Sequence, residues 1–213
     1  LDMMVRQHPD FLVGAVNLRQ LIRAASARQD FYQAGMTATL FSEPDAMFES
    51  LLKLRLALKE QDLAQAVHFA SELESLRPET GFDVNGDTVS QLRDLDDSLG
   101  GYLELFGTDG KFYLAKFSEI DSLQLKKPES LLDTVWRRAE IVLTDGPSGE
   151  VFIPMIYNDS IKVSERLGKD TSWQQMHEHL VTGVGQKMLL AGDEAIALSD
   201  VQLLSLAHSA ELA

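Results

Sequence analysis

Apolar residues recur every three or four positions from the start of the chain to about Arg77. From about Gly86 onward they alternate in short runs separated by glycine. The first period is that of an amphipathic helix and the second that of a half-buried strand. The chain therefore reads as two differently built parts, helical over residues 1–80 and mixed over residues 81–213. In the first part, Leu1–Gln7 reads as the end of a helix closed by Pro9. Asp10 caps the next helix, and the stripe Leu12, Val16, Leu18, Leu21, Ile22 and Ala25 carries it to about Arg28. A shorter helix is expected from Phe31 to about Phe41. Ser42-Glu43-Pro44-Asp45 then starts a helix, with Ser42 as the cap and Pro44 in the first turn. Phe48, Leu51, Leu52, Leu54, Leu56 and Leu58 are too many for a thin stripe, so that helix is covered on more than one side.

Glu60-Gln61-Asp62 turns tightly into a further helix with Leu63, Ala66, Val67, Ala70, Leu73 and Leu76 on one face, and Pro78 stops it. Small residues at Ala66 and Ala70 let two helices approach closely. Such a pair loosely resembles a tetratricopeptide hairpin. Hairpins of this kind bind peptides or helices in a groove, and plain helix packing explains the spacing equally well. If Leu1–Gln7 ends a helix, its partner lies upstream, and further N-terminal helices are expected.

In the second part, Gly81–Thr88 reads as a loop and Ser90–Leu99 as a short helix ended by Gly100-Gly101. A hairpin follows, Tyr102–Phe106 and Lys111–Ala115 across Gly107-Thr-Asp-Gly110, where Asp-Gly is a strong turn signal. Ile120–Leu125 is a third strand and Glu129–Val135 a short helix. Glu140–Leu143 and Val151–Tyr157 pair across Thr144–Gly149. Val184–Leu190 is another strand, Gly192-Asp193 turns, and Ile196–Leu198 continues the sheet, with Val201–His208 open between strand and helix. The predicted fold is thus multidomain, helical hairpins followed by a mostly antiparallel α+β domain.

Charge changes the picture more than length does. The chain of 213 residues has a formal net charge of −14, of which residues 1–80 supply −3 and residues 81–213 supply −11. An acidic surface repels phosphate backbones and anionic lipid, which argues against nucleic-acid and membrane-surface roles. No apolar run approaches the roughly 20 residues of a membrane span. With no cysteine, disulfides, thiolate zinc sites and cysteine nucleophiles are excluded. That composition is compatible with a cytosolic protein.

The candidate chemistry is thin. Asp83-Val-Asn-Gly-Asp87 imitates the start of a calcium loop, but Thr88 holds the position that needs glycine and Asp94 the position that needs glutamate. Asp94, Asp96 and Asp97 could hold a metal or act as an acid/base pair, with Asp94 and Asp97 on one helix face. His177-Glu178-His179 lacks the spacing of a zinc-binding helix. Gly183-Val-Gly185 is a fragment of a dinucleotide fingerprint without its third glycine, and Ser148 sits in no nucleophile elbow. No cofactor is called for. Arg137 beside Trp136 can stack on it, pair with a nearby acid, or recognise a partner.

Several motifs recur in one order: Asp94-Leu-Asp-Asp-Ser-Leu-Gly100, Gly110-Lys-Phe-Tyr113, Leu132-Asp-Thr-Val-Trp-Arg137, Pro154-Met-Ile-Tyr-Asn-Asp-Ser160, Thr171-Ser-Trp173 and Gly183-Val-Gly-Gln-Lys-Met-Leu189. This series resembles the ImpE/SciE family, also called TagJ, accessory proteins of bacterial type VI secretion systems. Ser98 and Arg138 depart from residues common there. The resemblance implies a cytoplasmic, non-enzymatic adaptor with a tetratricopeptide-like N-terminal region. It implies a partner, the small contractile-sheath subunit, bound through that subunit's N-terminal helix, and in some members action near the AAA+ ATPase that recycles the sheath. Trp136, Arg137, Tyr157 and Trp173 are the candidate partner-binding residues, although the aromatics serve equally as core. The rival from another class is a metal-dependent hydrolase built on Asp94, Asp96 and Asp97, with His177 or His179. A purely structural oligomer is a third reading.

Overall fold

A computed structural model of the protein describes residue 7 and residues 12–207. The helix end expected over residues 1–6, the Pro9 stop and the Asp10 cap lie outside these residues. Helix α1 spans Leu12–Gln33. It runs past Arg28 because nothing breaks it before Gly35, whose φ of +70° ends the helix as only glycine does cheaply. The amides of Ala34 and Met36 close that turn on the Asp30 carbonyl. The separate helix expected from Phe31 to Phe41 is therefore not formed. Phe31 stays in α1, and Thr39 instead pairs with the edge of the main sheet, its amide on the Phe112 carbonyl. The expected stripe is also rotated: Ala15, Leu21, Ala24 and Phe31 are buried, while Val16 and Ile22 face solvent.

Helix α2 spans Ala46–Glu60 and is capped by Asp45, not Ser42. The Asp45 carboxylate accepts the Phe48 amide at 3.1 Å, whereas the Ser42 hydroxyl donates to Glu119. Gln61 takes a left-handed φ of 59°, and Asp62 caps α3, Leu63–Ser75. Leu51, Leu54 and Ala57 of α2 share one core with Ala66, Ala70 and Leu73 of α3. The tight turn and the hairpin stand as expected. A stack of such hairpins is not what α1 adds, because α1 packs on the sheet.

That sheet has eight antiparallel strands in the order β2-β1-β13-β6-β7-β8-β4-β5. They are β1 Phe82–Val84, β2 Asp87–Val89, β4 Tyr102–Gly107, β5 Phe112–Lys116, β6 Ile120–Leu125, β7 Trp136–Leu143, β8 Ser148–Pro154 and β13 Leu203–Leu206. A three-stranded sheet joins β3 Leu92–Asp94 to β11 Met188–Ala191 and β12 Glu194–Ala197, and β9 Thr171–His177 pairs with β10 Leu180–Gly185. The mixed, mostly antiparallel α+β character stands. No helix among the described residues is long and apolar enough to cross a membrane.

The sheet has a core on each face. Leu103 and Leu105 of β4 point into the core formed with β6, β7 and β8, while Tyr102 and Phe106 point into the helices. Period-two alternation thus puts Glu104 on the helical side, between two buried aromatics.

Several local expectations need correction. Gly81–Thr88 is not a loop: Asn85 (φ 54°) and Gly86 (φ 98°) form the tight turn of the β1–β2 hairpin. Ser90–Leu99 is not a helix. The Asp94 carboxylate accepts the Asp96 amide and the Asp96 carboxylate the Ser98 amide, an i→i+2 pattern that competes with helix formation. Glu129–Val135 contains only a 3₁₀ turn at Leu132–Thr134, because Asp133 binds the amides of Glu129 and Ser130. Val184–Leu190 is broken between β10 and β11 at Gly185, whose φ is +88°.

Candidate functional site

The residues between the helices and the sheet carry the molecule's buried charge. Glu104 is fully buried and binds the Arg28 guanidinium through both oxygens, each at 2.7 Å. Tyr32, one helical turn beyond Arg28, donates its hydroxyl at 2.8 Å, and the equally buried Lys187 lies 2.5 Å away. Arg28 also donates to the Ile156 carbonyl. Burial alone would raise the Glu104 pKa, but Arg28 and Lys187 hold it well below the usual carboxylate range. Burial likewise opposes the Arg28 charge, and Glu104 outweighs it. Arg55 of α2 stacks its guanidinium 4.1 Å from the Tyr32 ring and donates to the Ser98 carbonyl. This centre was missed from sequence. Its one local signal is an acid alone in a strand that is otherwise apolar on both faces.

Beside it, the loop after β3 uses its three aspartates inwardly. Asp94 accepts the Tyr157 hydroxyl at 2.7 Å and the Asp96 amide at 2.8 Å. Asp96 accepts the amide and hydroxyl of Ser98 and the Gly183 amide. Asp97 accepts Val181 N and Arg93. The carboxylates thus diverge, and no group of three His, Asp or Glu side chains among the described residues is arranged to hold a metal. Burial raises Asp94 to about 7 and also raises Asp96. His177 and His179 are exposed at the β9–β10 turn. The Gly183-Val-Gly185 glycines serve packing: a β-carbon would overlap the Tyr157 ring at Gly183 and the Asp170 carbonyl at Gly185. The Asn85 side chain of the calcium-like loop is spent on Asp200 and on the amides of Gln202 and Leu203.

Over this charged floor lies an open slot of about 490 Å³. Val135, Trp136 and Pro154 form one wall, Arg28, Ile156 and Tyr157 the base, and Val163, Arg166 and Leu167 the other wall. The second wall is helix α4, Val163–Arg166, with the residue after it. A second cavity of about 360 Å³ shares Tyr157 and Asn158 and reaches Arg55 and Lys59.

The four predicted site residues separate. Trp136 and Tyr157 line the slot, Trp136 edge-on to Phe106 with ring centres 5.8 Å apart. The Tyr157 hydroxyl is committed to Asp94 and accepts the Met188 amide, which leaves only its ring for the slot. Arg137 follows Trp136 in β7 and so turns to the opposite face, where its Nε binds the Asp133 carbonyl at 2.8 Å. Trp173 is half-exposed on β9 with its ring centre 6.1 Å from that of Tyr157, outside the slot lining.

A family model described as "ImpE protein" matches residues 86–205. The type VI secretion system accessory component TagJ of Pseudomonas aeruginosa is 25% identical over 187 residues, covering 85% of this chain. The chain spans 64% of the length of that relative. The crystal structure of protein VPA1032 from Vibrio parahaemolyticus is 37% identical and superposes with a TM-score of 0.93, over 99% of this chain and 80% of that one.

Proposed function

The chain belongs to the ImpE family, and from that premise we propose that it is a non-enzymatic accessory component of a type VI secretion system. The observation that carries this reading is the family match over residues 86–205 together with the name of the Pseudomonas relative. In the proposal the protein works in the bacterial cytoplasm as an adaptor. It binds the N-terminal helix of the small contractile-sheath subunit and links the sheath to its recycling AAA+ ATPase, with tetratricopeptide-like hairpins in its N-terminal region. The geometry supports an adaptor over an enzyme. Among the described residues Glu104, Lys187 and Asp94 line neither cavity, and Asp96, which lines the second, has its carboxylate held by the amide and hydroxyl of Ser98 and by the Gly183 amide.

Calorimetric titration of the full-length protein with a peptide spanning the N-terminal helix of its own sheath small subunit tests the proposal. Saturable binding at micromolar concentration or tighter, about −8 kcal/mol, is expected. No heat with a soluble, helical peptide removes helix capture as the function.

A further inference from the structure

We propose that the slot between β7 and α4 is the docking site for an apolar helix face flanked by carboxylates, a proposal that gives the sheath-helix reading its place on the molecule. Helix α4 and the residues around it are turned the wrong way out for a solvated segment. Glu165, its only acid, is 4% exposed and folds back onto the amides of Ile161 and Lys162. Ile161 and Val163 are 83% and 75% exposed, and Leu167 is 45% exposed. Leu131, in the turn that leads to Val135 and Trp136 of the opposite wall, is 85% exposed, although it does not itself line the slot. These are the three most exposed large apolar side chains among the described residues, with Leu167 beside them. Val163 and Leu167, exposed apolar side chains that line a preformed slot opposite Val135, Trp136 and Pro154, are the signature of an interaction surface.

Charge selects the occupant. The chain as a whole carries −14, yet among the described residues no acid lines the slot, while Arg28 and Arg166 do. Arg28 spends Nε and Nη2 on Glu104 and the Ile156 carbonyl. Its Nη1 has no hydrogen-bond partner among the described residues. Arg166 is exposed at the rim. A second copy of so acidic a chain is repelled, whereas an amphipathic helix with acids beside its leucines meets apolar walls and two guanidiniums at once. Arg166 then sets specificity, since charge at a rim discriminates partners more than it adds affinity.

The test uses two synthetic amphipathic helical peptides with the same leucine face, one flanked by glutamates and the other by lysines. Each is titrated into the full-length protein carrying Trp173→Phe, in which Trp136 is the remaining tryptophan of the described region, and Trp136 fluorescence is read. The glutamate peptide saturates the signal and the lysine twin binds about tenfold more weakly or worse. Val163→Asp and Arg166→Glu, both at exposed positions that leave the core intact, each weaken the glutamate peptide about tenfold. Equal binding of the twins, no binding of the glutamate peptide, or binding indifferent to both substitutions overturns the proposal. The sheath peptide runs in parallel. If it binds wild type and both variants alike, the slot is wrong and the sheath reading stands. If the glutamate peptide fills the slot and the sheath peptide does not bind, the reverse holds.

Discussion

Two groups of buried carboxylates sit side by side under the slot, and they are stabilised by different means. Glu104 is enclosed with two cations, Arg28 and Lys187, and stays ionised. Asp94 and Asp96 are as deeply buried, but among the described residues neither is in an ion pair, and Lys187 and Arg55 act on them only from a greater distance. They rest on hydrogen bonds from Tyr157, Ser98, Gly183 and the loop's own amides, and burial raises both pKa values. The same residue chemistry at the same burial thus gives opposite shifts, because two cations in contact outweigh the lost hydration at Glu104, whereas the more distant Lys187 and Arg55 together with hydrogen bonds offset only part of it at Asp94 and Asp96. The first centre ties α1 to the sheet, since Arg28 and Tyr32 reach Glu104 of β4. The second ties β3 to β10 and to the slot base at Tyr157.

The largest effect expected is from breaking the first centre on one side. Glu104→Leu leaves Arg28 and Lys187 as buried cations without their partner and costs about 3–5 kcal/mol in chemical denaturation. Replacing all three by apolar residues, Arg28→Met, Glu104→Leu and Lys187→Met, recovers most of that loss, because the penalty lies in the orphaned charges. A Glu104→Leu chain as stable as wild type would remove the charge argument altogether.

The second centre responds to pH with its own sign. Asp94 titrates near 7 in the folded chain, above its ordinary value of 3.8, so the folded state holds more protons between those values. Its contribution is fully present below 3.8 and is lost as the pH rises through about 7. Over that window stability falls with a slope approaching about 1.4 kcal/mol per pH unit. Asp94→Asn keeps the acceptor for Tyr157 and for the Asp96 amide and flattens the slope. Denaturation midpoints of both proteins from pH 4 to pH 8 check this, and parallel curves count against it. Glu104, shifted the other way, adds stability above its ordinary pKa that is lost only in strong acid. At a smaller scale, Asp96→Ala strands the Ser98 and Gly183 amides, and thermal denaturation is expected to show a loss of about 2 kcal/mol.

The sequence was legible where local chemistry decides. Asp109-Gly110 marks the β4–β5 turn, Gly192-Asp193 the β11–β12 turn and Gln61-Asp62 the junction of α2 and α3, and the chain bends at each. Order within the sheet was not legible. Strand β13 inserts between β1 and β6 from more than 75 residues away, and no local pattern encodes that pairing. The aspartate loop misled because apolar spacing allowed a helix while i→i+2 side-chain bonds to backbone prevented it. Trp136 and Tyr157 were legible as large aromatics but not as slot walls, and Arg137 was set beside Trp136 although alternation in β7 sends the two to opposite faces. Arg28 was read as a helix end, so its long-range partner Glu104, 76 residues on, could not be found.

Asp97 gives the comparison its lower limit. It belongs to the same three-aspartate run as Asp94 and Asp96, but its side chain is 29% exposed. It pairs with Arg93 at 2.7 Å and accepts the Val181 amide at 2.8 Å. Water reaches this carboxylate, so removing it exposes the amide and Arg93 to solvent and does not strand them in the core. Asp97→Ala is therefore expected to cost about 1 kcal/mol or less, with the ion-pair share vanishing in high salt. Thermal melts of wild type and variant at low and high ionic strength measure both parts. A loss matching that of Asp96→Ala, and unchanged by salt, would mean that the bond to Val181 alone holds the loop on β10. Exposure would then not be what grades the three aspartates, and the number of backbone amides each one holds would take its place.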